Sequence, residues 1–271
     1  MVEVVWSGVF SITDCYNELQ SVTGVTNRNN YRVILNRLKR KGIIERSGNK
    51  DGIFRKVNDE AEDIDYKNAD VKEININLPF NLHTLINIYP KNVLVIAGVP
   101  DAGKTAFLLN IVEMNMVKHE IYYFSSEMAG QELRLRLSKF KRDLTTWKFH
   151  PKERVYNFAD VIKPDALNII DYLEVHDEFY KVGGMIKQIS DKLNKGIALV
   201  AIQKNKGSEY GLGASRGLEM PRLYLTLNPG QAKIEKAKNW VDPLKNPNGL
   251  MLNFKLFQGC KFSIERDWHK E

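Results

Sequence analysis

The chain has 271 residues, 43% of them hydrophobic and 27% charged, with a formal net charge of +7 at pH 7. That length holds one large domain or a large domain plus a small one; the composition is that of a soluble globular protein, and no apolar run reaches the length of a membrane span. Its two cysteines, Cys15 and Cys260, stand far apart, which argues against a disulfide framework or a cysteine metal site. With no basic n-region in Met1 to Trp6, the expected compartment is a reducing cytoplasm without membrane attachment.

In chain order, Thr13 to Val22 reads as a short helix with Cys15, Leu19 and Val22 on one side, broken by Gly24. Asn27 to Lys41 reads as a second helix. Tyr31, Ile34, Leu35 and Leu38 fall at i, i+3, i+4 and i+7 and form one apolar stripe. Arg28, Arg32, Asn36 and Lys39 recur on a different face, and Gly42 stands at the C-cap. Ile43 to Arg46, a turn over Ser47 to Gly52, and Ile53 to Val57 predict a hairpin, basic at its tip and on its second strand. Helix, turn, basic helix and hairpin, with R-L-K-R-K-G-I-I-E-R at the centre, resembles a winged-helix domain over residues 1–58. In that family the second helix enters the DNA major groove and the hairpin wing touches backbone or minor groove. The resemblance implies DNA contacts by Arg28, Asn29, Asn30, Arg32, Asn36, Lys39 and Lys50. Lys and Arg supply phosphate attraction, while Asn and Arg can read base edges. A basic face on a protein-binding winged helix is the alternative.

Up to Val57 bases outnumber acids; then Asp59-Glu60-Ala61-Glu62-Asp63-Ile64-Asp65 reverses the sign. With little to bury, residues 59–77 read as an acidic linker, and the next domain is expected over 78–271.

Asn92 to Ala97 is an apolar, β-branched run suited to a buried strand. Gly98-Val99-Pro100-Asp101-Ala102-Gly103-Lys104-Thr105 follows, reading G-x-x-x-x-G-K-T, and Ala106 to Val112 reads as a helix. Strand, glycine-rich loop and helix together make a phosphate-binding loop. Its backbone N–H groups and the helix N-terminus surround phosphates. Lys104 can reach the β- and γ-phosphates, and the Thr105 hydroxyl can bind Mg²⁺, so ATP and Mg²⁺ are the expected ligands.

Three more apolar runs end in polar residues: Glu120 to Met128 carries Ser-Ser-Glu-Met, Ala166 to Leu173 carries Asp171, and Ile197 to Gln203 closes on Gln203. Gln131 to Leu137 reads as a helix after the first. Open α/β sheets bind ligands at such carboxyl ends of strands. Asp171 can hold Mg²⁺ directly or through water, Glu127 can take a proton from an attacking water, and Gln203 can bond the γ-phosphate region.

F-S-S-E-M…E-L…R-L resembles the F-S-L-E-M segment of DnaB-type replicative helicases, and I-I-D-Y-L resembles their Walker-B strand. With the phosphate loop and Gln203, the similarity covers about residues 78–271. It implies that Glu127 is the catalytic base, Asp171 the Walker-B acid, and Gln203 the link between nucleotide state and DNA-binding loops. Ala232 to Asn239 resembles the family strand that reaches a neighbouring subunit's ATP site, which puts Lys236 and Lys238 on the lysine and arginine-finger positions. Lys238 departs from the family, offering a point charge in place of a bidentate fork. Leu250 to Phe257 and Cys260 to Ile264 resemble the family's closing hairpin.

The Gly-rich segment Lys204 to Gly217 stands where RecA-like proteins place a DNA-binding loop. Lys204, Lys206 and Arg216 would contact a single-strand backbone and Tyr210 would stack on a base. His176 to Gly184 is a second candidate loop. The helical collar of replicative helicases and the zinc segment of RadA-type proteins have no counterpart in the sequence.

The expected fold class is therefore α/β: a RecA-like P-loop NTPase core with a mainly parallel twisted sheet, plus a small α+β winged-helix domain. The expected activity is an ATP-driven DNA helicase or translocase, assembled as a homo-oligomer such as a hexamer, with single-stranded or duplex DNA as partner. Two alternatives stand beside it: an ATP-switched DNA-binding adaptor, and a protein-binding winged helix on a signalling-type RecA ATPase.

Overall fold

The computed structural model describes residues 8–23, 27–58, 61, 63–173, 181–205, 207, 210–211 and 218–270. The chain divides into two compact units, Met1–Ala69 and Asp70–Glu271.

In the first unit, strand β1 (Val9–Ser11) leads into helix α1 (Ile12–Thr23), followed by helix α2 (Arg28–Arg40) and strands β2 (Ile44–Arg46) and β3 (Ile53–Lys56). Reciprocal bonds start α1: Ser11 N–H donates to Asp14 at 2.6 Å and Asp14 N–H to the Ser11 hydroxyl at 3.2 Å. Asn27 caps α2 by accepting from Asn29 N–H at 2.9 Å. Gly42, at φ +70°, ends it: its N–H donates to Lys39 O and that of Ile43 to Leu38 O. β3 lies between β1 and β2, antiparallel to both. Phe10, Cys15, Tyr31, Leu35, Ile44 and Phe54 form the core. The predicted hairpin is present, and β1 adds a strand that the sequence reading lacked. Ile34, expected on the buried stripe, is exposed, because the stripe that packs is narrower: Tyr31 and Leu35, with Leu38 at its edge. The Val22 side chain and Gly24 lie outside the described residues.

The second unit is built on strands β4 (Val93–Gly98), β5 (Ile121–Ser125), β6 (His150–Glu153), β7 (Leu167–Leu173), β8 (Ile197–Gln203), β9 (Leu223–Asn228), β10 (Gln231–Ala237), β11 (Met251–Phe257) and β12 (Lys261–His269). Their order across the sheet is β12-β11-β10-β9-β4-β8-β7-β5-β6. From β9 to β6 all neighbours are parallel, and β10 to β12 form an antiparallel extension. Central β4 is buried along its whole length, hence its unbroken apolar sequence. Its side chains alternate between two layers. Leu94 and Ile96 face a cluster with helices α3 (Lys104–Asn115) and α4 (Gly130–Ser138), while Val93, Val95 and Ala97 face one with helix α5 (Val182–Asp191).

Residues 70–77, expected as the end of the linker, belong to this unit. Ile76 is buried, Ile74 N–H donates to Ile88 O, and buried Asn115 exchanges two 2.8 Å bonds with the Asn77 backbone. At the other end, Phe254 and Phe262 ring centroids each lie 5.0 Å from that of Phe80, and Trp268 Nε1 donates to Phe80 O. This aromatic cluster fixes the β11–β12 hairpin beside α3.

Among the described residues, no helix is long and apolar enough to cross a membrane.

Candidate active site

The parallel register brings the chemistry together. Gly98 at the end of β4 lies opposite Gln203 at the end of β8, and Ser125 at the end of β5 lies opposite Asp171 on β7. All four strands point their carboxyl ends to one edge. A cavity of about 490 Å³ opens there, lined by Pro100, Asp101, Gly103, Lys104, Thr105, Glu127, Arg136, Asp171 and Gln203, with Leu256 and Gly259 from the β11–β12 hairpin.

Two glycines make the loop possible. A methyl group on Gly98 would stand 2.9 Å from Lys104 Cγ and 3.2 Å from the Leu227 carbonyl oxygen. Gly103 precedes α3 at φ +91°, where L side chains are strained, and a Cβ there would meet Leu256 at 3.1 Å. α3 starts at Lys104 with its first N–H groups facing the cavity end of the loop, the standard setting for an anion.

Lys104 donates to the carbonyls of Gly98 at 2.9 Å and Val99 at 3.0 Å. Burial holds its ammonium below the usual lysine range, against the pull of Asp171, Glu127 and Asp101. A phosphate in the cavity would add a further anion beside it and favour its charged form.

Asp171 is 4% exposed. Burial pushes its carboxyl up; hydrogen bonds from Tyr123 and Thr105 and the charges of Arg136 and Lys104 oppose that rise. Thr105 Oγ1 donates to Oδ1 at 3.3 Å, and the Tyr123 hydroxyl donates to Oδ2. Burial first, then the neighbouring Asp171 charge, pushes the Tyr123 hydroxyl well above its usual range, so it stays a donor. The turn bearing Glu127 is pinned to β7, with Ser126 N–H donating to Asp171 O at 3.0 Å and Tyr172 N–H to Ser126 Oγ at 3.3 Å, and is closed on the end of β5 by Met128 N–H donating to Ser125 Oγ at 2.9 Å. Glu127 itself is exposed to the cavity.

The Thr105 hydroxyl and the Asp171 carboxylate, adjacent and facing one cavity, are hard oxygen donors of the kind Mg²⁺ takes alongside phosphate oxygens and water. The residues present therefore fit the ion. Among the described residues, no three His, Cys, Asp or Glu side chains come together as an all-protein metal site.

Arg136 is the functional candidate that sequence reasoning missed. It projects from α4 into the cavity, held by Glu132 at 2.7 and 3.1 Å. Its signal was an arginine nine positions after Glu127 on the following helix, within the quoted E-L…R-L string.

Other predicted residues lie elsewhere. Lys204, expected on a DNA-facing loop, is 5% exposed, and its Nζ donates to Asn228 Oδ1 at 3.2 Å. It continues directly from β8, its N–H bonded to Gly98 O, so its side chain is drawn inward and makes no DNA surface. Lys206 and Arg216 lie outside the described residues, as does most of the 176–184 loop. Lys236 and Lys238 do not line the cavity: Lys236 Nζ donates to the carbonyls of Leu218 and Glu219, and Lys238 is exposed. In the first unit Arg28, Asn29, Asn30, Arg32, Asn36, Lys39 and Lys50 are all exposed, with the Arg28 guanidinium 4.9 Å from the Tyr16 ring centroid. Val33, Arg37 and Arg40 share the exposed surface of α2.

The P-loop, the carboxylate-tipped parallel strands and the strand order define a RecA-like P-loop NTPase fold. The family described as DnaB-like helicase C terminal domain matches residues 81–163. Among solved structures, a KaiC-like protein, PH0186, from the hyperthermophilic archaeon Pyrococcus horikoshii OT3 is similar at 14% identity and TM-score 0.52, covering 72% of this chain and 99% of that one. The RadB recombinase aligns at 13% identity and TM-score 0.47, over 65% of this chain and 92% of that one. No curated protein matches the sequence.

Proposed function

We propose that this protein binds and hydrolyses ATP with Mg²⁺ and uses the cycle to act on DNA in the cytoplasm, as a DnaB-like helicase or translocase in replication or recombination. The observation that carries the reading is the single cavity that gathers Lys104, Thr105, Glu127, Asp171 and Gln203 from four strand ends. In it the loop N–H groups and Lys104 bind the phosphates, with Arg136 as a second cation at the cavity wall. Thr105 and Asp171 would hold the metal ion, which supplies charge neutralisation on the phosphate oxygens when bound. Glu127, anchored by its turn yet open to the cavity, orients a water and accepts its proton. Gln203 bonds the γ-phosphate region and, at the head of the segment that follows β8, passes nucleotide state to that segment.

The first unit supports a DNA partner. We read its helix, basic helix and three-stranded sheet as a winged helix; the support is that α2 exposes Arg28, Asn29, Asn30, Arg32, Asn36 and Lys39 and the hairpin tip exposes Lys50. We assign the assembled form to a homo-oligomer, a hexamer in the helicase reading, with Lys238 acting at the neighbour's site.

A second reading is favoured by two observations: Lys236 is engaged within its own chain, and Lys238 lacks the guanidinium fork. It makes the protein an ATP-switched adaptor that recruits partners without unwinding. Hydrolysis by the full chain decides between them, measured alone, with single-stranded DNA and with duplex DNA, with Lys104→Ala as the blank and assembly followed by light scattering. Strong single-strand stimulation with ring formation supports the motor. Duplex-dependent assembly with little turnover sinks the helicase reading and leaves the switch.

A further inference from the structure

Tyr123 is fully buried on β5, in an apolar layer where its ring meets Phe149 edge-on at 6.0 Å. Phenylalanine would fill that space equally well, so the packing does not account for the hydroxyl. The register does. Ser125 lies opposite Asp171 across the parallel pair, and Tyr123, two residues back, shares its face. The tyrosine is long enough to reach diagonally to Asp171 Oδ2, which accepts from its hydroxyl. The other oxygen, Oδ1, is left on the Thr105 side, with that hydroxyl 3.3 Å away.

We propose that Tyr123 is a positioning residue for the divalent cation: by occupying Oδ2 it locks the Asp171 carboxylate so that Oδ1 faces the cavity beside Thr105. The inference rests on the nucleotide-and-metal reading of that cavity. Its physical basis is that a buried carboxylate oxygen without a donor is costly, so an unanchored Asp171 would turn to find one and lose its aim. Tyr123 does not touch the reacting atoms; it acts through Asp171.

The test is Tyr123→Phe in the full-length protein, with Mn²⁺ as the probe followed by electron paramagnetic resonance in the presence of ADP. The expected result is Mn²⁺ affinity weakened about 10- to 100-fold, the usual loss when the hydrogen-bond partner of a metal-ligating group is removed. ADP affinity in EDTA should stay within about twofold, because the anchor acts only on the metal side. In an Asp171→Asn background the same substitution should add nothing, since a pair that acts as a unit is not additive. Unchanged Mn²⁺ affinity, or an equal loss in the Asp171→Asn background, would each overturn the proposal; retained ADP affinity in EDTA shows that the comparison is made on folded protein. Were the wild-type protein to bind neither ADP nor Mn²⁺, the nucleotide reading itself would fall, and this role with it.

Discussion

At the scale of single residues, the site divides labour between groups held rigidly and groups left open. Lys104, Thr105 and Asp171 are tied by hydrogen bonds to the loop, to each other and to Tyr123, whereas Glu127 is exposed on a pinned turn. The expected outcome for Glu127→Gln is nucleotide affinity near wild type with turnover reduced about 10²–10⁴-fold, the usual worth of a general base; equilibrium binding and steady-state rates check it. Cys15 offers a separate test. It is 3% exposed, and burial, helped by the Asp14 charge, pushes its thiol up to about 11 from an ordinary value near 9. The folded value lies above the unfolded one, so this site's share of stability is complete below pH 9 and is lost as the pH rises toward 11. At pH 8 the native thiolate fraction is about a hundredth of that in the unfolded chain, and iodoacetamide labelling should slow accordingly. The carboxylates and the lysine were legible in the sequence because they stand in spaced motifs. Tyr123 and Arg136 were not, since one reads as an ordinary strand aromatic and the other as an ordinary helical surface charge.

At the scale of elements, the closing hairpin and helix α2 make opposite demands on packing. The β11–β12 hairpin lines the cavity only because Phe254 and Phe262 are seated against Phe80. Phe254→Ala should cost about 3–5 kcal/mol, the range for a buried phenylalanine, and should weaken nucleotide binding as the hairpin loosens; thermal melting with and without ATP separates the two effects. Helix α2, by contrast, keeps most of its surface in solvent and depends on its ends. Asn27→Ala should cost about 1 kcal/mol through loss of the cap, read as earlier melting of helical signal, with no change in ATP affinity. Periodicity was a fair guide to where α2 lies. It misjudged Ile34, because four apolar positions in register do not fix how wide a strip the neighbouring elements cover.

For the whole molecule, a unit that carries the G-x-x-x-x-G-K-T loop shares one chain with a smaller unit whose basic residues lie ahead of the acidic run that starts at Asp59. If the exposed face of α2 meets DNA phosphates, the Arg32→Ala/Lys39→Ala double variant should bind more weakly whatever the sequence. Its log-affinity against log-salt slope should shrink by about 1.8, at roughly 0.9 per lost contact. An unchanged slope, measured by fluorescence anisotropy over a salt series, would move the bet to a protein partner for that face.

The phosphate loop, the apolar strands and the order in which their polar tips arrive follow from local pattern, because they depend on short spacings, on glycine and on unbroken hydrophobic runs. Strand β4 and the G-x-x-x-x-G-K-T loop were readable for that reason. What depends on which strands become neighbours is set by the folded sheet. The register that sets Ser125 beside Asp171 lets Tyr123 reach the carboxylate, and the turn inward after β8 buries Lys204 instead of offering it to DNA. Residues 70–77 join the larger unit through buried Ile76 and through Asn77, whose backbone pairs with the Asn115 side chain 38 residues on, a partnership that no local pattern announces. Pairing across a sheet is a long-range choice made by the packing of the whole core, whereas a loop or a helix carries its reasons within a few residues of itself.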